Sequence, residues 1–181
     1  MTLFPFFENI ESKTFLVIGG GKVAKDKIYR LKQFTDKITI IAEKTDITGF
    51  KVIKKQFEER DLTLGDYVIS ASNDRELNKR ISLLCQERSI PVNVVDDPEL
   101  CTFVFPSLIK RGDLTIGICT GSKSPAVSKY IRKEIENILP ENVEEIIYKM
   151  SDLRERLKTE VPNQKDRAEI LKNKLAELIK Q

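Results

Sequence analysis

Gly19-Gly20-Gly21-Lys22-Val23-Ala24 spells GxGxxA. Glycines turn tightly and let backbone N–H groups approach an anionic oxygen, and the start of a following helix adds a favourable dipole. Between a strand and a helix, such a turn binds the pyrophosphate of a dinucleotide; elsewhere the same letters are a structural turn. The fingerprint also wants an acidic residue about 20 positions on, at the end of the second strand, for the adenosine ribose hydroxyls. Glu43 stands there with Lys44 beside it. A carboxylate at that point repels a 2′-phosphate and so favours NAD over NADP; the alternative is a solvated loop glutamate.

Other chemistry is narrowed by composition. The chain has 181 residues and no histidine, which removes the commonest metal ligand and the usual base near neutral pH. Cys85, Cys101 and Cys119 are widely spaced and form no CxxC, which favours neither a disulfide framework nor zinc. They fit a reducing compartment. Lys and Arg total 31 against 28 Asp and Glu, and the excess is local. Residues 107–134 carry Lys110, Arg111, Lys123, Lys129, Arg132 and Lys133 against only Asp113 and Glu134, a stretch suited to an anionic ligand.

The elements that must position these residues alternate. Thr14–Ile18 reads as a strand running straight into the glycine turn, and Lys22–Phe34 as a helix with Val23, Ala24, Ile28 and Leu31 on one face. Strands follow at Ile38–Ala42, Lys51–Ile53, Asp66–Ala71 and Pro91–Val95, nearly all apolar as in a sheet buried on both faces. A helix over Arg75–Arg88, capped by Asn73 or Asp74, separates the last two. This is an α/β, Rossmann-type, mostly parallel sheet. Phe103–Ile109 and Leu114–Cys119 then predict an antiparallel hairpin turning at Lys110–Asp113, and Ser124-Pro125 predicts a helix start. Apolar stripes through residues 141–181 predict a helical C-terminal tail whose faces need a partner. The layout expected is a Rossmann domain over 1–112, a hairpin strand and linking helix over 113–140, and the tail over 141–181.

Several segments occur together in an order that resembles a known family. They are Phe4-Pro5-Phe6-Phe7, the GGGKVA turn, Ser70-Ala71-Ser72-Asn73-Asp74 with Glu76-Leu77-Asn78, Val92-Asn93-Val94-Val95-Asp96-Asp97-Pro98, Phe103–Ser107 and Gly121-Ser122-Lys123-Ser124-Pro125. The set is similar to the siroheme synthase dehydrogenase domain, the precorrin-2 dehydrogenase (sirohydrochlorin synthase) family, from about residue 3 to 140. The resemblance implies NAD-dependent oxidation of precorrin-2 to sirohydrochlorin, with iron insertion as a second activity in some relatives. It places the cofactor at Gly19, Gly21, Lys22, Val23, Glu43, Lys44, Ser72 and Asn73, and the catalytic aspartate at Asp96. Without histidine, Asp96 is then the natural base, its strength raised by burial. On the residues alone, Asp96 is also a turn aspartate ahead of a proline.

A polycarboxylate substrate gives the basic stretch a use: Lys123, Arg111 and the helix start at Ser124 are the candidate contacts. Ser124 is otherwise a plain N-cap. Where relatives often carry a serine and a second glycine, this chain has Cys119-Thr120-Gly121-Ser122, which weighs against metal insertion more than against dehydrogenation. A competing class is a non-catalytic NAD-sensing domain, which needs neither Asp96 nor the basic stretch. No apolar run reaches the roughly 20 residues of a membrane span, and balanced charge outside one segment leaves little footprint for nucleic acid. A cytoplasmic homodimer without nucleic-acid or membrane partners is expected.

Overall fold

The computed structural model describes residues 2–179. The chain divides into two compact units, residues 1–105 and 106–181.

The first unit is a five-stranded sheet: β1 (Phe15–Ile18), β2 (Ile38–Ile41), β3 (Lys51–Ile53), β4 (Tyr67–Ser70) and β5 (Val92–Val94). All neighbours are parallel, in the order β3-β2-β1-β4-β5. The order reverses between β1 and β4, the topological switch point at which such sheets take their ligands. Every residue of β1 is buried because successive side chains enter different cores. Phe15 and Val17 meet Ala24, Ile28 and Leu31 of helix α1 (Lys22–Leu31) on one face. Leu16 and Ile18 meet Ile81 and Cys85 of α2 (Arg75–Glu87) and Leu62 on the other. Leu62 belongs to a short 3-10 helix, Glu59–Leu64, closed by a reciprocal cap between Glu58 and Asp61 that the sequence reading missed. Each such side chain, fully buried, contributes about 1.5–3 kcal/mol, so the two cores fix the strand ends on which the loops stand.

Past β5 the chain turns through a second 3-10 helix, Pro98–Leu100, and returns along the outer edge of β5. The Thr102 hydroxyl receives the Val92 N–H at 2.8 Å, and the Thr102 N–H donates to the Val92 carbonyl at 2.8 Å. At the opposite strand ends, Asp66 accepts from the Thr14 N–H and hydroxyl, both at 2.8 Å, locking the entries of β1 and β4 together.

The second unit begins with an antiparallel pair, β6 (Ser107–Arg111) and β7 (Leu114–Ile118). Lys110 and Arg111, expected in the turn, lie in β6: Arg111 pairs with Leu114, which leaves Gly112-Asp113 as a two-residue turn with Gly112 at φ +53°. A boundary at 112/113 would cut this pair, and the division falls at 105/106 instead. Helix α3 (Pro125–Ile138) packs on both strands, α4 (Val143–Glu160) packs on β7, and α5 (Gln164–Leu178) pairs with α4. Ile109, Ile146, Leu157 and Leu178 are buried, while Val127, Tyr130, Ile131 and Ile138 of α3 remain exposed. Among the described residues, no helix is long and apolar enough to cross a membrane.

Candidate dinucleotide-binding and catalytic site

Strand register brings the candidate residues of the first unit to one edge. Ile18 is level with Ile41 and with Ser70, and Ser70 with Val94. Glu43, Ser72 and Asp96 therefore each stand two residues beyond the ladder, on β2, β4 and β5, with the glycine turn between the first two. Three strand spacings of about 4.8 Å separate the outer members, so the row extends about 14 Å along the carboxyl edge.

Each glycine of the turn has its own reason. Gly19 has φ +116°, and a Cβ there would lie 2.3 Å from the Ala71 carbonyl oxygen, so β1 and the β4 loop touch through bare backbone. A Cβ on Gly20 would lie 2.5 Å from Thr45, whose hydroxyl donates to the Gly20 carbonyl at 3.0 Å. That contact seats the loop carrying Glu43 and Lys44 against the turn. Gly21 differs, since a Cβ there would meet nothing within 4 Å. It is the N-cap of α1, with no side chain capping the helix and no acidic residue in the first turn. Lys22 and Val23 follow it exposed. Open space over an uncapped, positively polarised helix start suits a pyrophosphate, so the residues present fit the dinucleotide.

Around the turn, Lys25 of α1 pairs with Asp46 at 2.7 Å. Glu43 is exposed and accepts from the Gln56 amide at 3.1 Å, at the end of β2 where a ribose contact belongs. The Ser72-Asn73 loop is shaped by Asn78, a buried α2 residue. Its side-chain oxygen accepts from the Ser70 hydroxyl at 2.7 Å and the Ser72 N–H at 3.3 Å, and its amide donates to the Ser72 carbonyl at 2.9 Å. Asp74, not Asn73, caps α2, accepting from the Glu76 and Leu77 N–H groups. Asn73 is thereby left exposed at the loop.

Asp96 sits just past β5 at φ +61°, a left-handed backbone that aspartate enters more readily than most residues with a side chain. It is exposed, where burial had been expected. Lys27 of α1 was not foreseen. Its ammonium lies 4.3 Å from the centre of the Phe105 ring. Burial, then Arg30, pulls it below the usual lysine range, while Asp26, Cys101 and Asp96 act in the opposite sense.

In the second unit, Thr120 to Lys123 closes a turn whose central residues, Gly121 and Ser122, both have φ +62°, with the Lys123 N–H donating to the Thr120 carbonyl. Lys123 is exposed, and Ser124 caps α3, its hydroxyl accepting from the Val127 N–H at 3.4 Å. Arg111 is occupied otherwise: its guanidinium donates to the carbonyls of Pro140 and Glu136 at 3.2 and 3.4 Å and so caps the far end of α3. Lys27 and Thr45 are neighbours of the site that sequence reasoning missed, and Asn78, which that reading includes within the Glu76-Leu77-Asn78 segment, carries no role in it. Only Asn78 left a signal, an amide on the apolar face of a helix.

Comparisons with known proteins bear on the family and the fold. The chain is 33% identical over 171 residues to the siroheme synthase of Thioalkalivibrio sulfidiphilus, covering 90% of this chain and 35% of that protein. Against the siroheme synthase of Vesicomyosocius okutanii it is 36% identical over 148 residues, covering 77% of this chain and 32% of the relative. The chain thus spans about a third of the length of the curated relatives it matches. Among solved structures, the precorrin-2 dehydrogenase SirC superposes with a TM-score of 0.76 over 94% of this chain and 88% of that one, at 20% identity, a likeness of fold. A family model described as putative NAD(P)-binding matches residues 6–107, more than half the chain and nearly all of the first unit. With the glycine turn at the switch point and its helix start open, the chain belongs to that NAD(P)-binding family.

Proposed function

We propose that this chain catalyses NAD-dependent dehydrogenation of precorrin-2 to sirohydrochlorin. The observation that carries the reading is the row along one sheet edge: Glu43, the glycine turn, Ser72-Asn73 and Asp96, level in register. The siroheme synthase relatives and the SirC fold support the tetrapyrrole substrate.

The oxidation removes a hydride and a proton from the macrocycle; a nicotinamide held by this edge would supply the hydride acceptor. The chain's own residues do the rest. The α1 start, Lys22 and Val23 hold the pyrophosphate, Glu43 and Lys44 border the adenosine ribose, and Ser72 and Asn73 line the route toward Asp96. Asp96 takes the proton, and its exposed carboxylate can pass it to water. In the second unit, Lys123 and the α3 start at Ser124 offer cationic and N–H contacts for substrate carboxylates. Arg111 keeps α3 in place behind them. The exposed α3 residues Val127, Tyr130, Ile131 and Ile138 support a homodimer joined through that helix.

The test is anaerobic incubation with precorrin-2 and NAD, following the sirohydrochlorin spectrum and then adding Fe²⁺ or Co²⁺. NAD-dependent sirohydrochlorin formation is the expected result, and metal uptake afterwards would add the chelatase step. NAD binding without turnover would leave a sensor domain instead. Asp96→Ala should abolish product while leaving the NAD dissociation constant within about twofold of wild type, because the residue lies beyond the pyrophosphate turn. Full activity in that variant would remove Asp96 as the base.

A further inference from the structure

Asp96 has a left-handed backbone, which aspartate tolerates better than most residues but still at some cost, and several contacts around its turn converge on one atom. The Cys101 sulfur accepts the Val94 N–H at 3.1 Å and lies 3.5 Å from the Asn93 side-chain amide. Its single hydrogen has two acceptors within reach, the carbonyls of Val94 at 3.2 Å and Asp97 at 3.3 Å; given to Asp97 while the sulfur accepts the Val94 N–H, it closes a bridge. Val94 and Asp97 bracket the two-residue turn Val95-Asp96, so the thiol ties together the chain entering the turn and the chain leaving it. The remaining support is backbone: the Val95 N–H donates to the Ser70 carbonyl at 2.9 Å, and the Leu100 and Cys101 N–H groups donate to Asp97 and Pro98. Val95 and Asp96 themselves form a backbone turn, and the thiol adds a side-chain tie across it.

We propose that Cys101 is a positioning residue for the dehydrogenation, its thiol bridging Val94 and Asp97 so that the left-handed Asp96 between them presents its carboxylate at the sheet edge. The inference rests on the reading of Asp96 as the base. Side-chain chemistry suits the task, since a thiol is both a weak donor and a weak acceptor and this geometry uses it as both. Burial also raises the thiol's titration point, which keeps on it the hydrogen that the bridge needs. An apolar residue of similar size would fill the space and leave the Val94 N–H and two carbonyls without this partner, freeing the turn to relax.

The full chain is assayed anaerobically with precorrin-2 and NAD as wild type, Cys101→Ser, Cys101→Ala, Asp96→Asn and the Cys101→Ala/Asp96→Asn double variant. Cys101→Ala should lower kcat by about ten- to hundredfold, the scale of a small displacement of a reacting group, with the NAD dissociation constant changed less than about twofold. Cys101→Ser keeps a donor and an acceptor on the same carbon and should return kcat to within about fivefold of wild type. In the Asp96→Asn background, single-turnover rates should be the same with and without Cys101→Ala, because a residue acting through another adds nothing once that other is removed. Wild-type kcat in Cys101→Ala, equal losses in the serine and alanine variants, or additive losses in the double variant would each overturn the proposal. If Cys101→Ala loses NAD binding altogether, Cys101→Ser decides: kcat within about fivefold sustains the role, and a larger loss with NAD binding intact overturns it. Full activity in Asp96→Asn has a different meaning, for it removes the base assignment itself. Failure of the positioning role alone leaves Asp96→Asn inactive and Cys101→Ala active.

Discussion

Adjacent glycines in the turn do opposite things, and substitution separates them. Gly19→Ala puts a methyl 2.3 Å from the Ala71 carbonyl at φ +116° and should destabilise the chain by about 2 kcal/mol or more, read by urea denaturation. Gly21→Leu projects into open space, so the denaturation midpoint should hold while NAD affinity falls by at least about tenfold, measured by calorimetric titration. Unchanged affinity there would remove the pyrophosphate from the α1 start. At the ribose end, Glu43→Gln removes the charge opposing a 2′-phosphate, and the NADP-to-NAD preference should rise by on the order of tenfold in parallel kinetic assays. The glycine turn and Glu43 were legible in the sequence because their spacing along the chain is itself the signal. The contacts of Asn78, Thr45 and Cys101 were not, because each side chain meets a segment that folding brings to it: Asn78 the end of β4, Thr45 the glycine turn, Cys101 the backbone of Val94 and Asp97.

Among elements, the parallel strands announced themselves as short apolar runs, and the helix starts at Pro125 and Arg75 as capping residues. Two features escaped that reading for a physical reason. The 3-10 helices at Glu59–Leu64 and Pro98–Leu100 are too short for a period to show. The β6–β7 turn lies later than the polarity of Lys110 and Arg111 suggests, because their cross-strand partners Thr115 and Leu114 keep them in the ladder. The junction of β1 and β4 carries a pH dependence that no single element shows. The Thr14 N–H, then its hydroxyl, holds the Asp66 carboxyl below its ordinary value of 3.8. The folded chain therefore binds that proton less readily than the unfolded one. The stabilisation is fully present above the ordinary value and is lost as pH falls through the lower folded one. Asp66→Asn should flatten the acid limb of the stability curve, measured by urea denaturation at a series of pH values from about 6 down to 2.

For the whole molecule, the balanced charge of residues 1–106 and the local excess beyond map onto the two units. The first offers a cofactor edge, and the second an exposed Lys123 at a helix start. Sequence periodicity showed that the C-terminal helices carry apolar faces but not which of them would stay uncovered, since that depends on packing between helices. Helices α4 and α5 pack on one another yet leave Tyr148, Ile170 and Leu175 exposed, and α3 keeps Val127, Tyr130 and Ile131 exposed. Ile131→Glu should convert a dimer to monomer in sedimentation analysis, weakening association by about ten- to hundredfold, the scale of withdrawing one large apolar side chain from an interface. A wild-type chain that sediments at the monomer mass at every concentration would remove the homodimer. The return segment along β5 bears finally on how the chain is made. Synthesis runs from the N-terminus, so all five strands exist before Cys101 and Thr102 have been added. Until they are, the N–H groups of Val92 and Val94 that these side chains later take form an open border able to recruit a strand from another nascent chain. Chains truncated after residue 97 should aggregate during translation, and chains extended past 105 should not.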